Sequence, residues 1–124
     1  MLREIGAYLQ SQGIGTLGAN LFLGLMPDQP DNCIALFEYA GSPPDLHWNG
    51  EYPGLQVRVR NKSYAAARTK IGEVMDKLHG LHEQTLSGTR YLLIKARGSP
   101  EVLKRDNNNR VELFVNFEII KERD

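Results

Sequence analysis

The chain is poor in the residues that announce chemistry. It has a single cysteine, Cys33, so no internal disulfide can form. Cys33 lies in the apolar run Cys33-Ile34-Ala35-Leu36-Phe37 and reads as a small buried hydrophobe kept reduced. A nucleophilic thiol needs a base and a lowered pKa, and the local sequence signals neither. There are three histidines, His47, His79 and His82, none spaced with a thiol or carboxylate as a zinc site requires. Serines occur without a nucleophile elbow. The glycine-rich stretch Gly13–Gly18 has no Lys-Ser/Thr after it and no strand before it, so it reads as a flexible turn. Glu38 and Glu118 can become sheet neighbours, but alternating acids on an exposed strand face are the ordinary explanation. These absences argue against an enzyme and imply no metal and no cofactor.

An excess of one charge is also missing. Fifteen Lys and Arg balance fifteen Asp and Glu. The whole chain therefore has no electrostatic drive towards nucleic acid or an anionic membrane. A net charge near zero also removes one barrier to self-association. No apolar run reaches the roughly 20 residues of a membrane-spanning helix. The start, Met1-Leu2-Arg3-Glu4-Ile5-Gly6, lacks the apolar core of a signal peptide, so the expectation is a cytoplasmic protein unless an assembly carries it elsewhere.

At 124 residues the chain fits a single domain spanning 1–124. Surface scaling predicts roughly 6,700 Å² of exposed area when folded, enough burial for one modest core without staples. Its centre is the stretch Pro53–Arg60 running into Asn61–Ala67. Leu55, Val57 and Val59 alternate with Gln56, Arg58 and Arg60, the period of a half-buried strand. From Tyr64 the apolar residues recur at Ala67, Ile71, Val74/Met75 and Leu78, the period of one helix face. Ser63 is the expected N-cap, Lys77 and His79 suit the C-terminal dipole, and Gly80 is the stop.

Around this junction Leu2–Gln12 reads as a short helix ended by Gly13. Asn20–Met26 is an apolar strand closed by Pro27. The polar turn 27–32 predicts that Cys33–Tyr39 returns antiparallel as its hairpin partner. Gly41–Gly50, with Pro43 and Pro44, is a loop. Gln84–Leu86 suggests a short strand, Thr89–Arg97 a strong one, and Glu101–Arg105 a turn or edge segment. Asp106-Asn107-Asn108-Asn109 is the clearest turn, because these residues tolerate left-handed backbone. Val111–Ile119 alternates as a last strand, followed by a charged tail, Lys121–Asp124. The expected fold is α+β: a mainly antiparallel sheet of about five strands, with one long and one short helix on one face.

The residues left for an interface are arginines and one aromatic. Arg58 and Arg60 share one strand face, read as outward, and Arg97 ends another strand. Neighbouring strands would join them into a basic patch facing a second subunit or nucleic acid, whereas pairing with Glu112 and Glu118 would leave them merely solvated. Trp48, in the polar loop, either anchors an interface or folds back over the core edge.

Several pieces together resemble the long-tailed bacteriophage minor capsid proteins regarded as tail terminator, or tail completion, proteins. They are Leu23-Gly24-Leu25-Met26-Pro27, Tyr52–Arg60 with the helix start Tyr64-Ala65-Ala66-Ala67, and Tyr91–Ala96 followed by Gly98-Ser99-Pro100. Arg105–Arg110 and Phe114-Val115-Asn116-Phe117 complete them. The resemblance implies a structural subunit of the virion, assembled in the host cytoplasm, that forms a ring, expected to be hexameric. The ring would sit on the major tail tube protein, end its polymerisation and face the head connector proteins, with DNA passing through its lumen. It brings no catalytic residues and extends only an interface role to Arg58 and Arg60. The alternative from the residues alone is a small nucleic-acid-binding module using the basic strand face.

Overall fold

The structure, a computed structural model, describes residues 1–123. Helix α1 (Leu2–Ser11) precedes strands β1 (Leu21–Leu23), β2 (Cys33–Ser42) and β3 (Gly50–Asn61). Helix α2 (Tyr64–Leu78) follows, then β4 (Leu81–Leu86), β5 (Thr89–Ala96), β6 (Glu101–Arg105) and β7 (Val111–Glu122). The exposed surface is 6665 Å², close to what chain length alone predicts.

The seven strands form one sheet in the order β1-β2-β3-β7-β5-β4, with β6 pairing the other end of β7 on the β5 side. β3 and β7 are the central pair, in register from Gly50↔Glu122 to Asn61↔Val111. This register puts Leu55, Val57 and Val59 on the same face as Leu113, Val115 and Phe117. That face meets Ile5 and Leu9 of α1, and Ala67, Ile71, Val74 and Leu78 of α2, in one buried cluster. The period change at Pro53–Ala67 is thus the hinge of the core: the strand supplies its floor and the helix its roof. Ser63 caps α2, its hydroxyl accepting the Ala66 N–H at 3.2 Å. Gly80, at φ 84°, turns the chain into β4.

The fold class holds, but the sheet is larger and mixed rather than about five antiparallel strands. Two segments weak in sequence are strands. β4 is mostly exposed, and all five residues of β6 are exposed, so neither has the buried apolar face that makes a strand legible in sequence. Pairing with β5 and β7 makes them strands.

The expected hairpin of the first two strands is overturned. β1 has three residues and runs parallel to β2, Leu21↔Ile34 to Leu23↔Leu36. The chain turns at Gly24, whose φ is 78° and whose N–H donates to the Leu36 carbonyl at 2.7 Å. Residues 25–32 then return to the start of β2. They are not a solvated turn, because their carbonyls are gathered by two buried arginines. The charged tail is corrected as well. β7 continues through Glu122 and Lys121 is fully buried; Asp124 lies outside the described residues. No described helix is long and apolar enough to cross a membrane.

Candidate functional site

Alternation along β3 puts Gln56, Arg58 and Arg60 on the sheet face away from the helices, as the sequence predicts. There the resemblance between the two arginines ends. Arg58 is half-buried. Its guanidinium lies 4.5 Å from the centre of the Phe37 ring, and its Nε donates to Gln56 Oε1 at 2.6 Å. Gln56 donates in turn to Asn116 Oδ1 at 3.0 Å.

Arg60 does not face outward. It is 4% exposed. Its Nε donates to the Asp31 carbonyl, and its Nη2 to the carbonyls of Pro27, Asp28 and Pro30 at 2.6 to 3.2 Å. A planar fork with fixed donors suits several carbonyls of one curved segment.

Beside it stands Arg110, to which the sequence assigns no specific role. Arg110 is also 4% exposed and pairs with Asp28, Asp31 and Asp106. Burial alone would weaken its positive charge. The Asp28 and Asp106 carboxylates outweigh that and hold it more firmly protonated than an ordinary arginine. Asp31 is held below the usual carboxylate range, first by the Lys62 ammonium and then by Arg110. Burial would raise Asp106, but the N–H and guanidinium of Arg110 outweigh it and lower it. The two arginines clamp residues 27–31 across one end of the helix-free face. Cys33 lies beneath the clamp, and burial pushes its thiol up, away from nucleophile chemistry.

Arg97 is more than half exposed. The Tyr39 hydroxyl and then the Glu118 carboxylate, 3.5 Å away, favour its charged form. The three arginines thus have three different sets of partners: an aromatic ring, a cage of carbonyls and an exposed acid. Glu112, the other acid expected to pair with them, instead meets Lys104 at 3.7 Å. Glu38 pairs in register with Leu55, and Glu118 with Gly54, so these two acids point to opposite faces. His79 Nδ1 accepts the Ala96 N–H at 2.9 Å, and His82 lies 3.0 Å from the Gly80 carbonyl. His47 is exposed on the 43–49 loop.

Trp48 folds back on its own hairpin, against Gly50 and Tyr52, rather than over the core edge. β2 and β3 run on beyond the helix-covered core as a hairpin arm whose tip is 43–49, with β3 still paired to β7 as far as Gly50↔Glu122. Trp48 lies against Gly50, Nε1 donates to the Tyr52 hydroxyl at 3.1 Å, and the two rings meet edge to face. The Tyr52 hydroxyl donates to Asp45 Oδ2 at 2.8 Å, and the His47 N–H donates to Oδ1 at 2.8 Å. These bonds, the His47 N–H first, hold the Asp45 carboxyl below its ordinary range. The loop is therefore braced by its own residues, yet Trp48 stays 36% exposed and Leu46, at the tip, 92%. The arm is fastened at its base as well, where buried Lys121 bonds Glu51 at 2.5 Å. The sequence places Lys121 in a charged tail; the signal against that is that it continues the alternating series Val111 to Ile119 on the core face.

The family described as bacteriophage tail terminator protein matches this chain over residues 8–123. The chain belongs to that family. Among solved structures, a chain of the "Virion of native gene transfer agent (GTA) particle" superposes with a TM-score of 0.68. It covers 86% of this chain and 81% of its own, at 16% identity, which shows a shared fold. No curated protein matches. For a phage tail terminator protein, the surfaces to weigh are those that meet other structural proteins: the arm, the clamped loop and the sheet edges.

Proposed function

We propose that this tail terminator, as a single domain, caps the tail tube, ends its polymerisation and forms part of the surface that joins tail to head. It acts as a minor capsid component in a ring, expected to be hexameric. The ring contacts the tail tube protein below and the head connector above, and DNA passes through its lumen without specific binding. The subunit is made and assembled in the host cytoplasm and ends in the virion.

The observation that carries this reading is the family match across nearly the whole chain. The architecture supports it. A ring subunit needs two different, complementary sides, and a heterologous contact closes only if its rotation closes. The sheet ends in different edges, β1 on one side and β4 and the exposed β6 on the other. A braced arm with an almost fully exposed leucine projects from the core. A balanced net charge suits a lumen that DNA must slide through. Arg58, Arg97 and Trp48 remain the exposed or half-exposed contact candidates. Arg60 supports a contact only through the loop it holds.

Electron microscopy of particles made without this protein tests the proposal. Tails of uncontrolled length and heads without joined tails are expected. Tails of normal length on intact heads would sink it. The nucleic-acid reading is disfavoured by one observation: Arg60, half of its basic strand pair, is used internally.

A further inference from the structure

The surface carries two features that the core does not explain. The first is the arm tip. Leu46 is 92% exposed, while the loop that presents it is held by Asp45, Tyr52 and Trp48. An apolar side chain on a braced support gains nothing for the fold, and bracing lowers the entropy cost of docking it. The second is an open cleft of about 530 Å³, lined by Met1, Arg3, Glu4, Ala7, Leu17, Leu23 and Ser87. It lies where the curled sheet fails to close. Helix α1 packs against both β1 and β4, the two end strands, so the cleft is the seam between them.

We propose that the arm tip of one copy docks in this seam of a second copy, with Leu46 entering among Ala7, Leu17 and Leu23. This deepens the proposed ring, because it names the contact that would link its subunits. Knob and socket are different surfaces, so the contact is heterologous and propagates from copy to copy. Charge favours a copy of this chain as the occupant. Arg3 stands exposed at the cleft. Asp45, one residue from Leu46, is held below the ordinary carboxylate range by the His47 N–H, the Tyr52 hydroxyl and the Trp48 donors, so the tip carries a negative charge beside its leucine. With 15 positive and 15 negative side chains, two copies meet without net repulsion.

Two measurements test this in particles complemented with variant genes. Leu46→Asp is the first, since an exposed side chain can change without touching the core. An unchanged melting temperature with loss of incorporation into particles is expected. Normal incorporation would overturn the contact while leaving the capping function standing, because that rests on the phenotype of the deletion. The second is Leu46→Cys with Ser87→Cys under mild oxidation, where buried Cys33 contributes little background. A ladder of disulfide-linked multimers, absent from either single variant, is expected. Monomers alone from double-variant particles would overturn the second-copy assignment and place the tip on a different protein. Dimers alone would overturn the heterologous arrangement. If the double variant does not incorporate, Arg3→Glu is the further check, and full incorporation of that variant would count against the contact.

Discussion

Among the described residues four charged side chains are buried, Arg60, Arg110, Glu112 and Lys121, and the three basic ones are explained by what they hold. Lys121 is sequestered with Glu51 as its carboxylate partner, the acid belonging to the arm and the ammonium to the core strand. Removing the acid takes the carboxylate away from a buried ammonium that also lies 5.8 Å from the centre of the Tyr91 ring. Glu51→Ala is therefore expected to cost about 3 kcal/mol, seen as a lower urea midpoint with an unchanged slope. Arg60 and Arg110 differ in that they hold a loop rather than a strand. Asp31 and Asp106 have folded-state pKa values below their ordinary ones. A carboxylate of that kind adds stability above its unfolded pKa and loses it as pH falls through the folded value. The clamp is thus complete at neutral pH and weakens only below about pH 4. Asp106→Asn should lower the urea midpoint at neutral pH. Its deficit relative to the parent should shrink in acid, and a deficit constant over the whole range would contradict the assignment.

At the scale of elements, the arm and the clamped loop are opposite solutions to the same difficulty. Each is a segment with no apolar face to bury. The arm is a hairpin extension braced by an aromatic pair and a carboxylate, with its backbone paired. The 25–32 loop has no strand partner, so side chains reach its carbonyls instead. Gly50 is needed because any Cβ there would collide with the indole of Trp48. Gly50→Ala should expel that ring, red-shifting its emission, with little change in global stability because the tip is outside the core. An unshifted spectrum would refute the packing. By contrast, Ile71→Ala in α2 removes a fully buried side chain between helix and sheet. It should cost about 3 kcal/mol in chemical denaturation and leave the Trp48 emission of the folded state unchanged.

At the scale of the whole molecule, the electrostatic balance decides between the two functional readings. A nucleic-acid-binding module should show affinity that rises steeply as salt is lowered. This chain is expected to show no salt-dependent binding in a low-salt titration against duplex DNA. Its positive charge is balanced overall, and its strand arginines are committed to Phe37, to loop carbonyls and to Glu118. Saturable, salt-sensitive binding would revive the alternative.

What the sequence by itself determined is whatever depends on period and local chemistry. The alternation of Leu55–Arg60 and Val111–Ile119, the helix face of α2, its Ser63 cap, and the Asn-rich turn before Arg110 were all legible. Each follows from neighbours a few residues away, and together they contain the two central strands and the main helix of the core. The tertiary structure decided what depends on distant partners. The sequence suggests only a short strand at Gln84–Leu86 and a turn or edge segment at Glu101–Arg105, and pairing with β5 and β7 makes β4 and β6 regular strands. The sequence predicts β1 and β2 as an antiparallel hairpin, but β1 is only three residues long and runs parallel to β2, the chain turning at Gly24 and the returning loop being held by Arg60 and Arg110. For the candidate site, the residue types were legible but not their partners. Arg58 and Arg60 are two residues apart on one face, yet one lies against Phe37 and the other is enclosed by a loop almost thirty residues upstream. Burial of a charge is set by what folds over it, which the strand period does not specify.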